Sequence, residues 1–380
     1  MKKIATITFH HAHNFGSALQ AYALQQFVLS LYKENDVEYK IIDYYTELQE
    51  ELYSVYKHDL SIKSIIKNLV AFLYSKQLKD KHQKFEDFLK NRCMLTRRYK
   101  DKQELREDIP IADVYISGSD QLWNVRAEDF DSVYYYDFLA DSCKRISYAA
   151  SLGPLQIDWE KYDYKKYKDL ISKYKSISVR EKGSYNNLVK ITDIKCNINV
   201  DPTLLISKEE WQKIESKEIY NKIKSPKLSN DGKYILLYCL EPSKEQLKIA
   251  DEISKKLQLP IVILRYNNKN DMFNHFVKKY AAGPEDFLAY IDHAALVLSS
   301  SFHGTAFSLI YHKPFYVLNG INDNRISEIL NKTNMMERSL ESIEDIKNVN
   351  LNKPDEKMID LFLENERVRS ELYLREAIGK

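Results

Sequence analysis

The segment from Ala294 to Leu318 constrains the fold more than any other part of the chain. Ala295 to Leu298 form a short, unbroken apolar run, which predicts a strand buried on both faces. Apolar residues at helical spacing follow between Gly304 and Tyr311, and Pro314 ends that helix. Phe315 to Leu318 predict the next parallel strand. The segment is therefore a βαβ unit, and it indicates an α/β protein with parallel sheets.

The turn between this strand and its helix is polar and is a candidate binding site. Helix N-termini attract anions, and ligands of open α/β sheets gather at the carboxyl ends of strands. His303 lies in this turn beside Gly304, where it would act as a cationic or acid–base partner of a phosphate or carboxylate. The alternative is a histidine that only caps the helix. We expect Ser300, Ser301, Gly304 and Thr305 to contact the substrate.

Composition indicates a soluble globular protein. The chain has 380 residues, enough for two domains, with 44% apolar and 29% charged residues. A net charge of +2 gives no general attraction to nucleic acid. The four cysteines are scattered without a CxxC pair, as in a reducing compartment. The first residues are too polar for a signal peptide and no apolar run has membrane-spanning length, so a cytoplasmic location is expected.

The amino-terminal segment predicts a second strand-to-helix turn with binding potential. Ile4 to Phe9 predict a strand, and the residues from Ser17 onward have helical apolar spacing. Gly16 marks the tight turn between them, although neither GxGxxG nor the Walker lysine is present. We expect Asn14, Gly16 and Ser17 to contact the substrate.

Three histidines in this turn, His10, His11 and His13, raise the question of a zinc site. The next predicted strand extends from Val37 to Tyr44, and the sequence offers no second cluster of metal ligands. We also expect His10 and His11 to point to opposite faces of a strand. We therefore predict no metal site and favour substrate binding by one of these histidines.

A charged and largely helical insertion is predicted at about residues 45–105. Its apolar face contains isoleucines, leucines and a valine between Ile62 and Leu73, surrounded by lysines at positions 63, 67, 76, 79, 81 and 84. Such a basic amphipathic segment suits peripheral contact with an anionic membrane or a lipid-linked acceptor. A helix packed against its own domain is the alternative.

Two further strand ends carry charged candidates. Ala112 to Ser117 predict a strand followed by Gly118, Ser119 and Asp120. Asp120 is a candidate general acid or base, with capping of the following turn as the alternative, and Gly118 and Ser119 are expected to contact the substrate. Arg180 follows another predicted strand and could bind phosphate or carboxylate in bidentate fashion, or pair with Glu181 at the surface.

The predicted domain boundaries follow from composition. Residues 1–205 form an N-terminal Rossmann-like domain that carries the insertion, and the polar residues 206–232 form a linker. A second Rossmann-like domain extends over residues 233–340. Residues 341–380 form a helical tail that is expected to pack back toward the first domain.

Six motifs in this order resemble those of the polysaccharide pyruvyl transferase family: Phe9–Gln20, Gly118–Asn124, Ser147–Gly153, Ser178–Glu181, Val200–Thr203 and Ser300–Phe307. The resemblance extends from residue 1 to about 335. It implies two Rossmann-like domains that face each other across a cleft, as in glycosyltransferases of the B type. It also implies transfer of the enolpyruvyl group of phosphoenolpyruvate to two sugar hydroxyls, with formation of a pyruvate ketal and release of phosphate.

The charged candidates fit that chemistry. Arg180 and His303 would hold the doubly anionic donor, and no cofactor other than this donor substrate is expected. Ketal formation needs a proton delivered to the methylene carbon and another removed from the attacking hydroxyl. His303 would supply the first and Asp120 would accept the second, or these roles are exchanged. Better-described members of the family carry an arginine where this chain has Ser301, and Arg265 is a candidate replacement.

Two other functions remain open at this point. A glycosyltransferase that uses a nucleotide sugar would place a diphosphate at the helix N-termini of the second domain. A non-catalytic protein that binds a glycan or an anion would need none of the acid–base groups. For the enzyme, the expected partners are phosphoenolpyruvate and a glycan or lipid-linked oligosaccharide acceptor, with no nucleic acid. The expected location is the cytoplasm, at the inner face of the membrane if the insertion contacts lipid.

Overall fold

The computed structural model describes residues 1–57, 61–223, 232–264 and 275–379. Contacts divide the chain into two compact units. Unit 1 comprises Met1–Ser54, Asp87–Ile206 and Glu364–Lys380, and unit 2 comprises Val55–Glu86 and Ser207–Leu363. Arg265, predicted above as a substrate contact, lies outside the described residues.

Unit 1 is built on a parallel sheet of seven strands in the spatial order β3-β2-β1-β4-β5-β6-β7. The order reverses between β1 and β4, which is the point where open α/β sheets bind ligands. The strands are β1 Lys2–Ile7, β2 Val37–Tyr44, β3 Leu95–Tyr99, β4 Val114–Ser117, β5 Arg145–Ser147, β6 Tyr174–Val179 and β7 Cys196–Ile198.

The helices of unit 1 follow their strands and cover the sheet. They are α1 Phe15–Ser30, α2 Glu47–Tyr53, α5 Lys102–Glu107, α6 Tyr164–Ser172 and α7 Lys182–Leu188, together with most of α14 Glu356–Ile378 and the end of α4 Ser75–Arg92. Tyr373 of α14 donates a hydrogen bond of 2.7 Å to the carbonyl of Ser147. The carboxy-terminal helix therefore contacts the end of β5.

Unit 2 contains a second parallel sheet, of six strands in the order β10-β9-β8-β11-β12-β13. The strands are β8 Ile235–Tyr238, β9 Ile261–Ile263, β10 Val277–Lys278, β11 Leu296–Ser299, β12 Phe315–Leu318 and β13 Ser339–Leu340. Strands β8, β11 and β12 are completely buried, as their unbroken apolar runs require.

The helices of unit 2 accompany its sheet, and several of them begin with a capping side chain. They are α3 Ile62–Leu73, α8 Lys208–Gln212, α9 Lys217–Ile223, α10 Lys244–Leu257, α11 Pro284–Asp292, α12 Phe302–Ile310 and α13 Asn324–Lys332, and the first part of α4 belongs to the same unit. Ser243 and Gln246 form a reciprocal capping box on α10, and proline occupies the first position of α11. Within the described ranges, no helix combines the length and apolar character needed to cross a bilayer.

The segment predicted as a helical insertion contains α2, α3, α4 and α5, and also the edge strand β3. The sequence did not predict β3, because Arg97 and Arg98 replace apolar residues in its middle and lie exposed. Residues 55–86 of this segment belong to unit 2. There Lys84 forms an ion pair of 2.6 Å with Asp286, and Tyr74 packs edge-on against Tyr280.

Candidate functional site

Asp120 lies at the carboxyl end of β4, where the strand order of the first sheet reverses. Its backbone has φ +75°, a conformation that non-glycine residues adopt rarely and that often marks a functional position. Its Oδ2 accepts a hydrogen bond of 2.7 Å from Ser17 Oγ, and its Oδ1 lies 3.4 Å from Arg180 Nη1. The structure thus brings together three side chains that the sequence predicted separately.

Gly118 makes this turn possible. It has φ +137°, and a Cβ at this position would lie 2.0 Å from the carbonyl oxygen of Tyr148. No other residue fits so close to a neighbouring backbone. The glycine therefore allows the tight turn that places Asp120 after β4.

Arg180 is buried and is surrounded by carboxylates. Its guanidinium lies 2.8 Å from Asp201 Oδ2 and 3.3 Å from Glu181 Oε2, in addition to the contact with Asp120. Burial alone would lower the pKa of Arg180, but the charges of Asp120, Asp201 and Glu181 raise it above its usual value. One cation against three carboxylates leaves this cluster with a net negative charge.

Glu181 and Asp201 were not predicted as site residues. Glu181 appeared only as a possible surface partner of Arg180 and within the Ser178–Glu181 motif, and Asp201 only within the Val200–Thr203 motif. Both follow parallel strands, β6 and β7, so their positions next to Arg180 follow from the carboxyl ends of neighbouring strands meeting at one edge. That shared position is the signal that could have identified them.

The start of α1 supplies the second part of the unit 1 site. Asn14 caps the helix and accepts a hydrogen bond of 2.9 Å from the backbone N–H of Gly16. Ser17, in the first turn, is turned toward Asp120. Asn14 thus orients the helix, and Ser17 contacts the candidate catalytic carboxylate.

Ser119 is completely buried, and its groups bond within the protein. Its hydroxyl donates to the carbonyl of Ala149 at 2.7 Å, and its backbone N–H donates to Gln20 Oε1 at 3.1 Å. Gln20 Nε2 in turn donates to Thr8 Oγ1 at 2.8 Å. This network joins the ends of β1 and β4 to α1 and fixes the backbone beside Asp120.

His10 and His11 lie near the same edge, and their positions differ from the sequence prediction. The expectation of opposite faces was wrong, because β1 ends at Ile7 and both residues lie beyond the strand, His11 at the start of a bend. Both Nε2 atoms approach Asp43 Oδ1, at 3.2 Å for His10 and 2.6 Å for His11. Burial and the neighbouring His11 lower the pKa of His10. Burial would raise the pKa of Asp43, but its bonds to the two histidines hold it well below the usual value.

In unit 2 the predicted βαβ segment forms the second candidate site. Ser300 and Ser301 follow β11, and His303 lies in the first turn of α12 with 7% of its surface exposed. Ser301 is the N-cap residue, and its carbonyl accepts the hydroxyl of Thr305 at 3.2 Å. Ser300, Ser301 and His303 therefore lie together at a helix N-terminus. The Thr305 hydroxyl, in contrast, is engaged in a hydrogen bond within the helix.

Gly304 is required by packing inside unit 2. A Cβ at this position would lie 2.1 Å from Ser299 Oγ. That hydroxyl donates a hydrogen bond of 2.7 Å to the carbonyl of Tyr238, which ties β11 to β8. The glycine lets the first turn of α12 approach the strand end closely.

Arg325 is a further candidate that the sequence did not reveal as a site residue. It lies in the first turn of α13, and its guanidinium carbon is 6.0 Å from the ring centroid of Phe302, the neighbour of His303. Asp323 holds the guanidinium through bonds of 2.9 and 2.5 Å. The end of β12 thus brings a cation near the start of α12.

Comparison with known families gives one match over most of the chain. A family model described as polysaccharide pyruvyl transferase matches residues 14–321. This range contains the unit 1 cluster and the α12 site. Comparison with curated proteins gave no match.

Solved structures of low sequence identity share the fold. A UDP-GlcNAc 2-epimerase from Neisseria meningitidis, bound to UDP-GlcNAc, has a TM-score of 0.52 at 14% identity, with 99% of each chain covered. The enzymes from Rickettsia bellii (0.51, 12% identity, 99% of this chain and 98% of the other) and Methanocaldococcus jannaschii (0.50, 11%, 96% and 99%) are similar. These likenesses and the two parallel sheets confirm the predicted α/β fold class, of the glycosyltransferase-B type.

Proposed function

The chain belongs to the polysaccharide pyruvyl transferase family, and on that premise we propose that it transfers the enolpyruvyl group of phosphoenolpyruvate to two hydroxyls of one sugar. The sugar belongs to a surface polysaccharide or its precursor. The observation that carries the proposal is the buried Asp120 carboxylate, held by Ser17 and Arg180 at a ligand-binding edge of the sheet. A carboxylate in this position is suited to remove a proton from a hydroxyl.

The charge of the unit 1 cluster favours a neutral acceptor there. A phosphate placed beside Asp120, Glu181 and Asp201 would meet net repulsion, whereas a sugar hydroxyl can donate to a carboxylate oxygen. Arg180 fixes the position of the Asp120 carboxylate through its contact of 3.4 Å with Oδ1. In this assignment Asp120 is the base, and Arg180 positions it.

The α12 site suits the anionic donor. Its helix N-terminus presents backbone N–H groups and the positive end of the helix dipole, both of which favour phosphate and carboxylate. Arg325, near Phe302, is the described cation that best replaces the arginine absent at Ser301. In this assignment His303, in the first turn of the same helix, delivers the proton to the donor.

The bond changes balance in two steps. The first hydroxyl oxygen bonds to the enol carbon while the methylene carbon gains a proton from His303 and becomes a methyl group. The carbon–oxygen bond to phosphate then breaks, phosphate leaves with the bonding electrons, and the second hydroxyl oxygen bonds to the same carbon. Asp120 accepts a hydroxyl proton, and the other hydroxyl proton replaces the one lost by His303 or leaves with phosphate.

A peripheral membrane contact through α3 is part of the proposal. Six large apolar side chains of this helix are 48–77% exposed: Ile62, Ile65, Ile66, Leu69, Phe72 and Leu73. The helix has no acidic residue, and Lys67, Lys76 and Lys79 are exposed on it and on the start of α4. Apolar residues flanked by lysines favour an anionic bilayer surface, which is where a lipid-linked acceptor is found.

The deciding experiment is incubation of the purified protein with phosphoenolpyruvate and candidate glycans. We expect release of phosphate and a gain on the glycan equal to pyruvate minus water. His303→Ala should abolish both, while His275→Ala, at an exposed position of the same unit, should leave them unchanged. Transfer of a hexose from a nucleotide sugar, or glycan binding without phosphate release, would each reject the proposal.

A further inference from the structure

His10, His11 and Asp43 form a compact set of ligand-type atoms that the proposed reaction does not use. One ring nitrogen of His10, one of His11 and a carboxylate oxygen of Asp43 lie within 4.8 Å of one another. The three residues are 1%, 4% and 5% exposed. Two histidines follow β1 and the aspartate lies on β2, which is its direct neighbour in the sheet. The sequence showed no second group of metal ligands, and it is the pairing of β1 with β2 that brings Asp43 to the two histidines.

The hydrogen bonding of His10 determines which of its nitrogens is available as a ligand. Its Nδ1 lies 3.0 Å from the carbonyl oxygen of Thr8, and a carbonyl can only accept, so Nδ1 carries the proton. In the neutral ring, Nε2 then has a lone pair that faces Asp43 Oδ1 at 3.2 Å. Two electron-rich atoms at this distance need a positive charge between them, either a proton or a metal ion.

This arrangement matches the support that metal-binding histidines usually have. Such a histidine donates its second ring N–H to a backbone carbonyl or carboxylate, which fixes the ring and leaves the other nitrogen for the metal. Arg98 Nε lies 3.6 Å from Asp43 Oδ2, on the other oxygen of the carboxylate. Asp43 Oδ1 is therefore the oxygen that faces the two imidazole rings.

We propose that His10, His11 and Asp43 bind a divalent transition metal ion of the zinc type. Two imidazole nitrogens and one carboxylate oxygen are a common zinc ligand set, with a water molecule at the fourth position. Tetrahedral ligand atoms about 2.0–2.1 Å from zinc lie about 3.3 Å apart. The separation between His10 and Asp43 already fits, and the 2.6 Å contact of His11 would open by about 0.7 Å.

The metal would act on the turn between β1 and α1. It would join the residues after β1 to the end of β2, ahead of the Asn14 cap. Its effect is to order the backbone that leads to Ser17. The proposal does not depend on phosphoenolpyruvate or on any acceptor, so it can fail while the proposed function stands, and the reverse also holds.

Metal binding by the full-length protein tests this directly. The protein is stripped with a chelator, dialysed against Zn²⁺ and analysed for bound metal, and Co²⁺ is added to a second sample to record its visible spectrum. We expect about one metal ion per chain and the intense bands of a four-coordinate Co²⁺ site. Zn²⁺ should also raise the Tm of the stripped protein by a few degrees, since a ligand that binds only the native state stabilises it.

Two variants remove ligands with little change of shape. Asp43→Asn removes the anionic donor, and His11→Phe keeps a ring against Tyr45, whose centroid is 4.3 Å away. Both should lose the Co²⁺ bands, whereas His312→Asn, which breaks an exposed pair with Asp360, should keep them. If the variants do not fold, the metal content and Tm of the wild-type protein decide alone. Absence of metal binding at micromolar Zn²⁺, or equal binding by the folded variants, would overturn the proposal and leave a proton as the shared charge.

Discussion

Ser17 donates a hydrogen bond of 2.7 Å to Oδ2 of Asp120, which joins the first turn of α1 to the end of β4. The two residues are separated by 103 positions in the sequence. Their contact gives the candidate base one fixed orientation, because the other carboxylate oxygen faces Arg180. Activity should therefore depend on both residues to different degrees.

Ser17→Ala should lower kcat about tenfold, because one hydrogen bond to a charged group contributes about 1.5 kcal/mol. Asp120→Asn should lower it at least about a hundredfold, since it removes the base itself. Phosphate release from phosphoenolpyruvate in the presence of acceptor measures both. Ser30→Ala, which removes a hydroxyl at the other end of α1, is the matched control and should have little effect. Equal activity of Ser17→Ala and the wild type would argue against the orienting contact.

Arg180 should be essential for stability as well as for activity. Arg180→Leu leaves three buried carboxylates without their cation, and removal of one partner of a buried ion pair costs about 3–5 kcal/mol. Urea unfolding measures the loss. Arg97→Leu, which breaks a half-exposed pair with Asp108, should change the free energy of unfolding by less than about 1 kcal/mol. A similar loss in both variants would mean that the buried ion pairs of Arg180 contribute no more to stability than an exposed pair does.

Much of this architecture could be predicted from local sequence patterns. The predicted bounds of β2 and β12 agree with the structure, because each contains a clear apolar run. The predicted α12 began at Gly304, two residues after its actual start at Phe302. A difference of this size is usual at helix ends. Strand order was not predicted, since it depends on packing between distant segments.

The site could be predicted residue by residue, but its contacts could not. Asp120 and Arg180 were recognisable as charged residues after buried strands. Glu181 and Asp201 both contact Arg180 because β6 and β7 are neighbours in the sheet, and the sequence does not show that pairing. The approach of His10 and His11 to Asp43 likewise depends on the β1–β2 pairing and on the bend after Ile7.

Gly304→Ala should destabilise the chain by about 1–3 kcal/mol, the usual cost of overpacking a filled interior. The added Cβ would meet Ser299 Oγ first, at 2.1 Å. The double variant Gly304→Ala with Ser299→Ala should recover part of the loss, because it removes that oxygen. Thermal unfolding of the two single variants and the double variant measures the coupling. If the destabilisation of the double variant equals the sum of the two single variants, the clash lies elsewhere.

Stability should fall as pH rises from about 4.5 to about 7 through Glu215. Burial raises the pKa of Glu215 to about 7 from its usual 4.5, so the native state binds a proton that the unfolded state releases. This contribution is fully present below pH 4.5 and is lost above pH 7. Because the side chain is partly exposed, we expect about 1–2 kcal/mol. Glu215→Gln should flatten this part of the profile in urea unfolding, and Glu210→Gln, at an exposed position nearby, should not.

Binding to anionic vesicles should depend on the apolar face of α3. Ile66→Ser with Leu69→Ser should reduce sedimentation with phosphatidylglycerol-containing vesicles several-fold, because each exposed side chain would bury apolar area in the bilayer. Leu372→Ser on α14 removes a similarly exposed leucine and should not affect binding. Higher salt should weaken the wild-type interaction by screening the lysines. Binding that persists in the α3 variant would place the membrane contact elsewhere.

Unit 1 is assembled from three separate stretches of the chain and unit 2 from two, since residues 55–86 belong to unit 2 and residues 364–380 return to unit 1. No uninterrupted fragment therefore consists of one unit alone. A product that ends at Ile206 lacks the helix that supplies Tyr373 to the carbonyl of Ser147, and a product that starts at Ser207 lacks Lys84, the partner of Asp286. Loss of residues 364–380 should thus damage unit 1, and folding of that unit must wait until these residues have been synthesised.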